Sequence, residues 1–420
     1  MKYFKPLLPF LLAFLPLTLF AQSFHVDMTK SVAAYTDETG YGIDDVVKRF
    51  SGENMTTQTN SQFISFKVPD GNYTVTMVIG SKKHAASTTV RAESRRLFVH
   101  DLITKKGKME TVSFVVNKRS PQIDEKTSVA LKPREKTYLN WDNLLTIEIT
   151  GDNPAVQSIN VERNDTCPTV FLCGNSTVVD QNYDPWCSWG QIIPLWFNDQ
   201  VAFANHAESG MATFSFLASH RLDKILSQMK KGDYVIVEFA HNDEKDTKPG
   251  KGAWYHFSYR MKIFIDQVSE KGGNIILCTP THRRFWEDGN KIIKNTHGDY
   301  PDAIKAIAQR EQIPLIDLSA MTKTFYETLG FEDSKRALVH YKRGTFEGQK
   351  TDFADNTHFN PFGAYEISKM IVMGLKQTNS PLAAFLRPLW QDFNPAQPDD
   401  WQNFHWTPSP LKEFAKPDGN

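Results

Sequence analysis

Cysteine is scarce in this sequence: four residues in 420, at Cys167, Cys173, Cys187 and Cys278. That is too few for a disulfide-built scaffold, and neither a Cys-x-x-Cys pair nor a Cys/His zinc spacing occurs. Cys173 and Cys278 fall in apolar runs and read as core thiols. Cys167 and Cys187 could pair in an oxidising compartment, which the sequence leaves open. Net charge is also missing, since Lys+Arg and Asp+Glu are both 48. No long-range field therefore gathers nucleic acid or an anionic membrane, and a charged ligand must be read by local side chains. Beyond the N-terminus no run is apolar enough to span a bilayer. Internal repeats and low-complexity blocks are absent.

The N-terminus has the grammar of a processing signal. Lys2 and Lys5 precede an apolar stretch at 7–20, broken by Pro9 and Pro16, with Ala21 as a cleavage position. Residues 1–21 thus read as a secretory signal peptide, and the expected location is secreted or periplasmic. The remaining length predicts two domains. Residues 22–163 read as an all-β sandwich. Ile64, Phe66 and Val68 alternate with polar residues, Pro69-Asp70-Gly71-Asn72 is a turn, and Tyr73, Val75 and Met77 alternate again, which predicts a hairpin. Val112, Phe114, Val116 and Leu145, Ile147, Ile149 are further period-two runs.

After a linker at 164–168 the pattern changes. Residues 169–387 alternate strands (170–172, 234–239, 274–278, 314–318) with helices. Phe214, Leu217, Ile225 and Met229 share one helical spacing, 257–270 is helical, Ile304, Ile307 and Ala308 mark a face, and 364–375 is the last helix, with Asn360 as N-cap and Pro361 at N1. Such alternation predicts a parallel sheet covered on both faces, with ligands at the carboxyl ends of its strands. Residues 388–420 form a C-terminal extension, too rich in tryptophan for a free linker, and are expected to pack along the surface.

Four short segments sit where that architecture would put chemistry. Gly174-Asn175-Ser176-Thr177 ends the first strand, where a turn lifts the serine hydroxyl out of the sheet. Gly210 lies in a loop before a helix, where a bare backbone N–H can face a cleft. His241-Asn242-Asp243 follows the next strand, and the Asn242 amide can donate to an oxyanion. Asp355-Asn356-Thr357-His358 precedes the last helix, and a carboxylate three residues before a histidine in one loop can orient it as a base. Each alone has an ordinary reading, as a strand end, a turn, an Asx cap or a structural histidine. Their joint order is what is specific.

In that order the chain resembles the SGNH (GDSL-like) hydrolase superfamily. Gly-Asn-Ser-Thr is similar to its GDS block, Gly210 to its lone glycine, His241-Asn242-Asp243 to its GxND block and Asp355-x-x-His358 to its DxxH block. The resemblance covers about 169–380. It implies a flavodoxin-like three-layer α/β/α fold with a parallel sheet. It also implies Ser176 as nucleophile, His358 as base, Asp355 as its orienting carboxylate, and an oxyanion hole from the N–H groups of Ser176 and Gly210 with the Asn242 side chain. More narrowly, the chain resembles the rhamnogalacturonan acetylesterases of carbohydrate esterase family 12, including bacterial members that carry a galactose-binding-like β-sandwich at the N-terminus. Asn175 and Ala240 depart from the family's usual Asp and Gly. The resemblance implies two-step acyl transfer on an acetylated polysaccharide or oligosaccharide, pectic rhamnogalacturonan first and xylan as the alternative, with no metal or organic cofactor. A carbohydrate-binding protein on a hydrolase fold is a further alternative. A monomer is expected. Candidate substrate contacts are Arg283 and Arg284, whose guanidinium groups could grip a uronate carboxylate, with Trp186 as a sugar platform and His297 in the Asn-Thr-His-Gly-Asp run.

Overall fold

The computed structural model describes residues 23–49, 61–412 and 414–418. The signal-peptide reading of 1–21 falls outside these residues. Strands in the first half are β1 (Ser23–Asp27), β2 (Tyr41–Ile43), β3 (Gln62–Lys67), β4 (Gly71–Gly80), β5 (Ala86–Ala92), β6 (Arg96–Thr104), β7 (Met109–Lys118), β8 (Leu144–Thr150) and β9 (Val156–Arg163), with a single helical turn α1 (Val46–Arg49). They form a sandwich. One leaf is β2-β3-β8-β5-β6, and the other is β1-β9-β4-β7. Ile64, Phe66, Tyr73, Val75, Met77, Leu145 and Ile147 fill the space between them, all fully buried.

The hairpin expected at 64–77 is not there. β3 pairs with β2 and β8, whereas β4 pairs with β7 and β9. Pro69-Asp70-Gly71-Asn72 carries the chain from one leaf to the other. Alternation says that one face of each strand is buried, but not whether the two strands lie side by side or face to face. Here the apolar faces of β3 and β4 cover each other across the core.

The second half is built from β10 (Thr169–Gly174), β11 (Ala202–Asn205), β12 (Tyr234–Glu238), β13 (Asn274–Cys278), a two-residue hairpin β14 (Trp286–Glu287) and β15 (Ile292–Ile293), β16 (Leu315–Ile316), β17 (Leu338–Tyr341) and β18 (Phe353–Phe359). Strands β11-β10-β12-β13-β16 run parallel, in the order 2-1-3-4-5 of a flavodoxin-like sheet. The strands are buried on both faces, and their residues divide by parity. Val170, Leu172, Tyr234, Ile236, Ile276 and Cys278 face one core. Phe171, Cys173, Val235, Val237, Ile275 and Leu277 face the other. The first core is closed by α2 (Trp189–Ile192), α7 (Leu318–Asp333) and α8 (Pro361–Gln377), and the second by α3 (Thr213–Ala218), α4 (Arg221–Gln228), α5 (Ser258–Glu270) and α6 (Tyr300–Glu311). The architecture is thus a three-layer α/β/α fold preceded by an all-β sandwich. Asn360 caps α8, its Oδ1 accepting from Gly363 N at 3.0 Å, with Pro361 in the first turn. The single helix expected from Phe214 to Met229 is two, because His220 adopts φ +60° between α3 and α4. Phe214 is exposed, with the Arg260 guanidinium over its ring. All four cysteines are free and buried.

The halves are joined in two ways. β7 pairs with β11, which makes one continuous nine-stranded sheet. A row of buried arginines also reaches across. Arg96 is ion-paired with the Asp180 carboxylate (3.1 Å) and donates to Phe203 O, Arg95 pairs with Asp184, and Arg221 grips Glu135 at 2.5 Å. The C-terminal extension packs on the first core through Trp390, Phe393, Trp401, Phe404 and Trp406. The Arg91 guanidinium lies over Trp406, and Ser409 N donates to Asp184. Phe414 to Asp418 then cross the carboxyl edge of the parallel sheet, beside Trp186, Asp355 and Gly210.

Candidate active site

Chain reversal in the parallel sheet occurs between β10 and β12, and both strands end in site residues. After β10 the backbone turns at Gly174, where an added Cβ would lie 2.9 Å from the Glu238 carbonyl oxygen and closer still to Val178. The next residue ties the turn: Asn175 Oδ1 accepts from Thr177 N at 3.0 Å and from Thr177 Oγ1 at 2.9 Å. Asn175 therefore keeps the acceptor that the family's aspartate would offer, while its buried Nδ2 has no partner among the described residues. The Ser176 carbonyl is held by Gln181 Nε2 (2.9 Å) and Ser188 Oγ (2.7 Å).

The histidine arrives on β18. A flat strand would point residues 355 and 358 to opposite faces. Between the pairs Leu338↔Phe359 and His340↔Ala354, β18 advances five residues while β17 advances two, so 355–358 bulges out. The segment expected as a loop is thus a bulge within a strand pair. Asp355 Oδ1 closes it, accepting from Thr357 N (2.8 Å) and His358 N (3.0 Å). Asp355 Oδ2 lies 2.8 Å from His358 Nδ1, and His358 Nε2 lies 2.8 Å from Ser176 Oγ. All three residues are buried, and the Trp186 ring meets the imidazole edge-on at 5.8 Å.

Burial pushes the Asp355 carboxyl up, but the hydrogen bond and charge of His358 and the two amides outweigh it and hold the group at about 2. It is therefore ionised and can only accept. Nδ1 must carry a proton, Nε2 is left as acceptor, and the Ser176 hydroxyl donates to it. A depressed carboxylate pKa adds stability that is present above the ordinary value of 3.8 and is lost as pH falls through about 2. Asp355→Asn should lower unfolding free energy by about 2 kcal/mol at pH 6, with the gap closing between pH 4 and pH 2 in denaturant titrations.

Asn242 follows β12 and donates to Met211 O at 3.0 Å, which leaves its second amide proton beside Gly210 in a shared cleft of about 530 Å³. Gly210 has φ +77°, a left-handed conformation that exposes its amide without strain. Asp243 caps the first turn of α3, accepting from Thr213 N at 2.9 Å, and burial raises its pKa to about 6. Ala240 stands at φ +123°, a region that costs an L residue about 1–3 kcal/mol. Ala240→Gly should therefore leave thermal stability unchanged or up to about 1 kcal/mol higher, whereas Ala204→Gly in β11 should cost about 1 kcal/mol.

The remaining candidates separate. Trp186 lines the site. Arg283, by contrast, is spent on Glu244 (2.5 Å), His241 O and Thr296. Arg284 bonds Ser334 and Asn356 and lies over Phe331. His297 is fully inside, bonded to Glu244 (2.8 Å) and Thr281 O (2.9 Å). Arg283 and His297 brace the Asn242 turn through His241 O and Glu244, and Arg284 braces the bulge at Asn356, so their polar groups are engaged within the protein. Sequence reasoning passed over Glu238, which sits under the 174–177 turn and bonds Thr177 Oγ1 (3.0 Å) and Trp189 Nε1 (2.6 Å); burial pushes it up to about 7. Its place in a strand ending next to the His-Asn-Asp segment was the available signal. Lys132, Arg134, Lys416 and Asp418 around the cleft had no local signal. Among the described residues no group of three His, Cys, Asp or Glu side chains is arranged to hold a metal ion.

Residues 172–364 match the GDSL-like Lipase/Acylhydrolase family. Rhamnogalacturonan acetylesterase RhgT of Bacillus subtilis (strain 168) is 37% identical over 217 residues, which cover 51% of this chain and 91% of that protein. Probable rhamnogalacturonan acetylesterase YesY of the same organism is 30% identical over 218 residues, 51% of this chain and 94% of YesY. Uncharacterized esterase YxiM, also from Bacillus subtilis (strain 168), is 27% identical over 328 residues, which cover 76% of this chain and 75% of YxiM.

Proposed function

The chain belongs to the GDSL-like lipase/acylhydrolase family and is a carboxylic ester hydrolase; on that footing we propose that it is a carbohydrate O-acetylesterase acting on pectic rhamnogalacturonan. The reaction class rests on one observation, the unbroken hydrogen-bond relay from Ser176 Oγ through His358 to Asp355 at 2.8 Å per step. Ser176 Oγ attacks the acetyl carbonyl as its proton passes to His358 Nε2, and Asp355 stabilises the imidazolium. The oxyanion is received by the N–H groups of Ser176 and Gly210 and the Asn242 amide. His358 returns the proton to the departing sugar hydroxyl, and water then takes the acetyl group off Ser176 with the same histidine as base. Each step is a proton transfer or acyl transfer, so the chemistry calls for no cofactor.

Two features support the pectic substrate. RhgT is named a rhamnogalacturonan acetylesterase and YesY a probable one. The cleft beside Gly210 is lined by Lys132, Lys245 and Lys416, suited to a polymer with a carboxylate on alternate sugars. The run at 1–21 fits delivery outside the cytoplasm, where such a polymer is met. Acetate release from acetylated rhamnogalacturonan and acetylated xylan, measured side by side, tests the reading. We expect kcat/KM at least about tenfold higher on the pectic polymer. Equal rates would keep the acetylesterase and reject the pectic preference; no release from either would reject the carbohydrate substrate.

A further inference from the structure

The cleft beside Gly210 has a basic rim that the matched family region supplies only in part, through Lys245. Lys132 and Arg134 lie in the connection between β7 and β8, in the first half of the chain, whereas the family match begins at residue 172. Arg134 is oriented from behind. Its Nε (3.1 Å) and Nη2 (2.5 Å) bond the buried Glu208 carboxylate, two residues before Gly210. Nη2 also donates to Ser209 O, as does Lys132 Nζ. Both cations are thus fixed to the very loop that offers the Gly210 amide.

The groups left over from that anchoring meet on one carboxylate oxygen. Arg134 Nη1 lies 2.5 Å and Lys132 Nζ 3.2 Å from Asp418 Oδ2. Asp418 belongs to the C-terminal segment that crosses the site. A Cβ on Gly210 would stand 2.8 Å from the Asp418 Cβ, so the aspartate is packed against the oxyanion loop itself. Two residues earlier, Lys416 Nζ lies 3.6 Å from Asp355 Oδ2. Phe414 packs on Phe353, beside the bulge that carries Asp355 and His358.

We propose that Lys132 and Arg134 form a carboxylate-binding subsite for a uronate of the substrate, which in this structure is filled by the chain's own Asp418. The tail is then a built-in competitor, and an acidic glycan displaces it while a neutral one does not. An Asp418 side chain 53% exposed makes an ion pair weak enough to be exchanged. A second carboxylate arriving on a sugar would find an arginine already oriented by Glu208 and would pay little ordering cost. The inference rests on the acidic-glycan reading above, but it can fail without it.

Calorimetric binding of trigalacturonate and of galactotriose to the full chain tests it, with 4-nitrophenyl acetate turnover followed separately as the report on the esterase. Asp418→Asn should tighten trigalacturonate binding about tenfold and leave galactotriose unchanged. Lys132→Met in the Asp418→Asn background should reverse the gain by about tenfold or more. Unaltered trigalacturonate affinity in Asp418→Asn, or equal tightening for galactotriose, would overturn the subsite even with ester turnover intact. Loss of turnover with the affinity pattern preserved would instead fall on the esterase reading. Thermal unfolding of both variants identifies any loss of binding that comes from misfolding.

Discussion

Replacing Ser176 with alanine is expected to lower kcat on 4-nitrophenyl acetate by about 10⁴-fold or more. The reason is chemical. Oγ is the atom that lies 2.8 Å from His358 Nε2. Stability should change by less than about 1 kcal/mol, because the side chain is small and its carbonyl keeps the contacts to Gln181 and Ser188. His358→Ala should be as severe, and the double variant no worse than either single one, since the pair acts as a unit. Initial rates on the three proteins, each checked for folding, settle the matter. A Ser176→Ala protein within tenfold of the parent would mean that the hydroxyl is not the attacking group.

Asp180→Ala should be the most damaging change for stability, at about 3–5 kcal/mol by denaturant unfolding. Asp180 is fully buried four residues beyond Ser176. Its Oδ2 meets Arg96 Nε (3.1 Å) and Asn140 Nδ2 (3.1 Å), and its Oδ1 takes Asn205 Nδ2 (2.8 Å). One carboxylate thereby joins the sandwich, the β7–β8 connection and β11. Removing it leaves the Arg96 charge buried near Arg119, another fully buried cation. The sandwich is on this account part of the catalytic body, not a detachable module. A loss under about 1 kcal/mol would show that Arg96 finds compensation and that the joint is slack.

Much of the second half was legible because parallel strands announce themselves. β10, β12 and β13 are short apolar runs, and the segments with chemistry follow or precede regular elements as the fold demands. The N-cap and Pro of α8 were likewise local signals. The errors share one cause, that local patterns do not say what lies opposite. The alternation of 64–77 fits a hairpin and a leaf-to-leaf crossing equally well. A helical period over 214–229 could not register the left-handed turn at His220. Arg283, Arg284 and His297 were placed near the site by their position after β13, yet their partners are Glu244, Ser334 and Thr281, far off in sequence. Asp418 reaches residues 132 and 134 across 286 and 284 positions of sequence. A contact of that range leaves no periodicity to read.

The central claim is that Ser176 carries the acyl group. Full-length protein mixed with excess 4-nitrophenyl acetate, quenched in acid during turnover, digested and read by mass spectrometry, tests it most directly. The account predicts an acetyl group on the peptide containing Ser176, absent from the Ser176→Ala protein. Acetyl on another residue of the turning-over enzyme, with Ser176 unmodified, would contradict it.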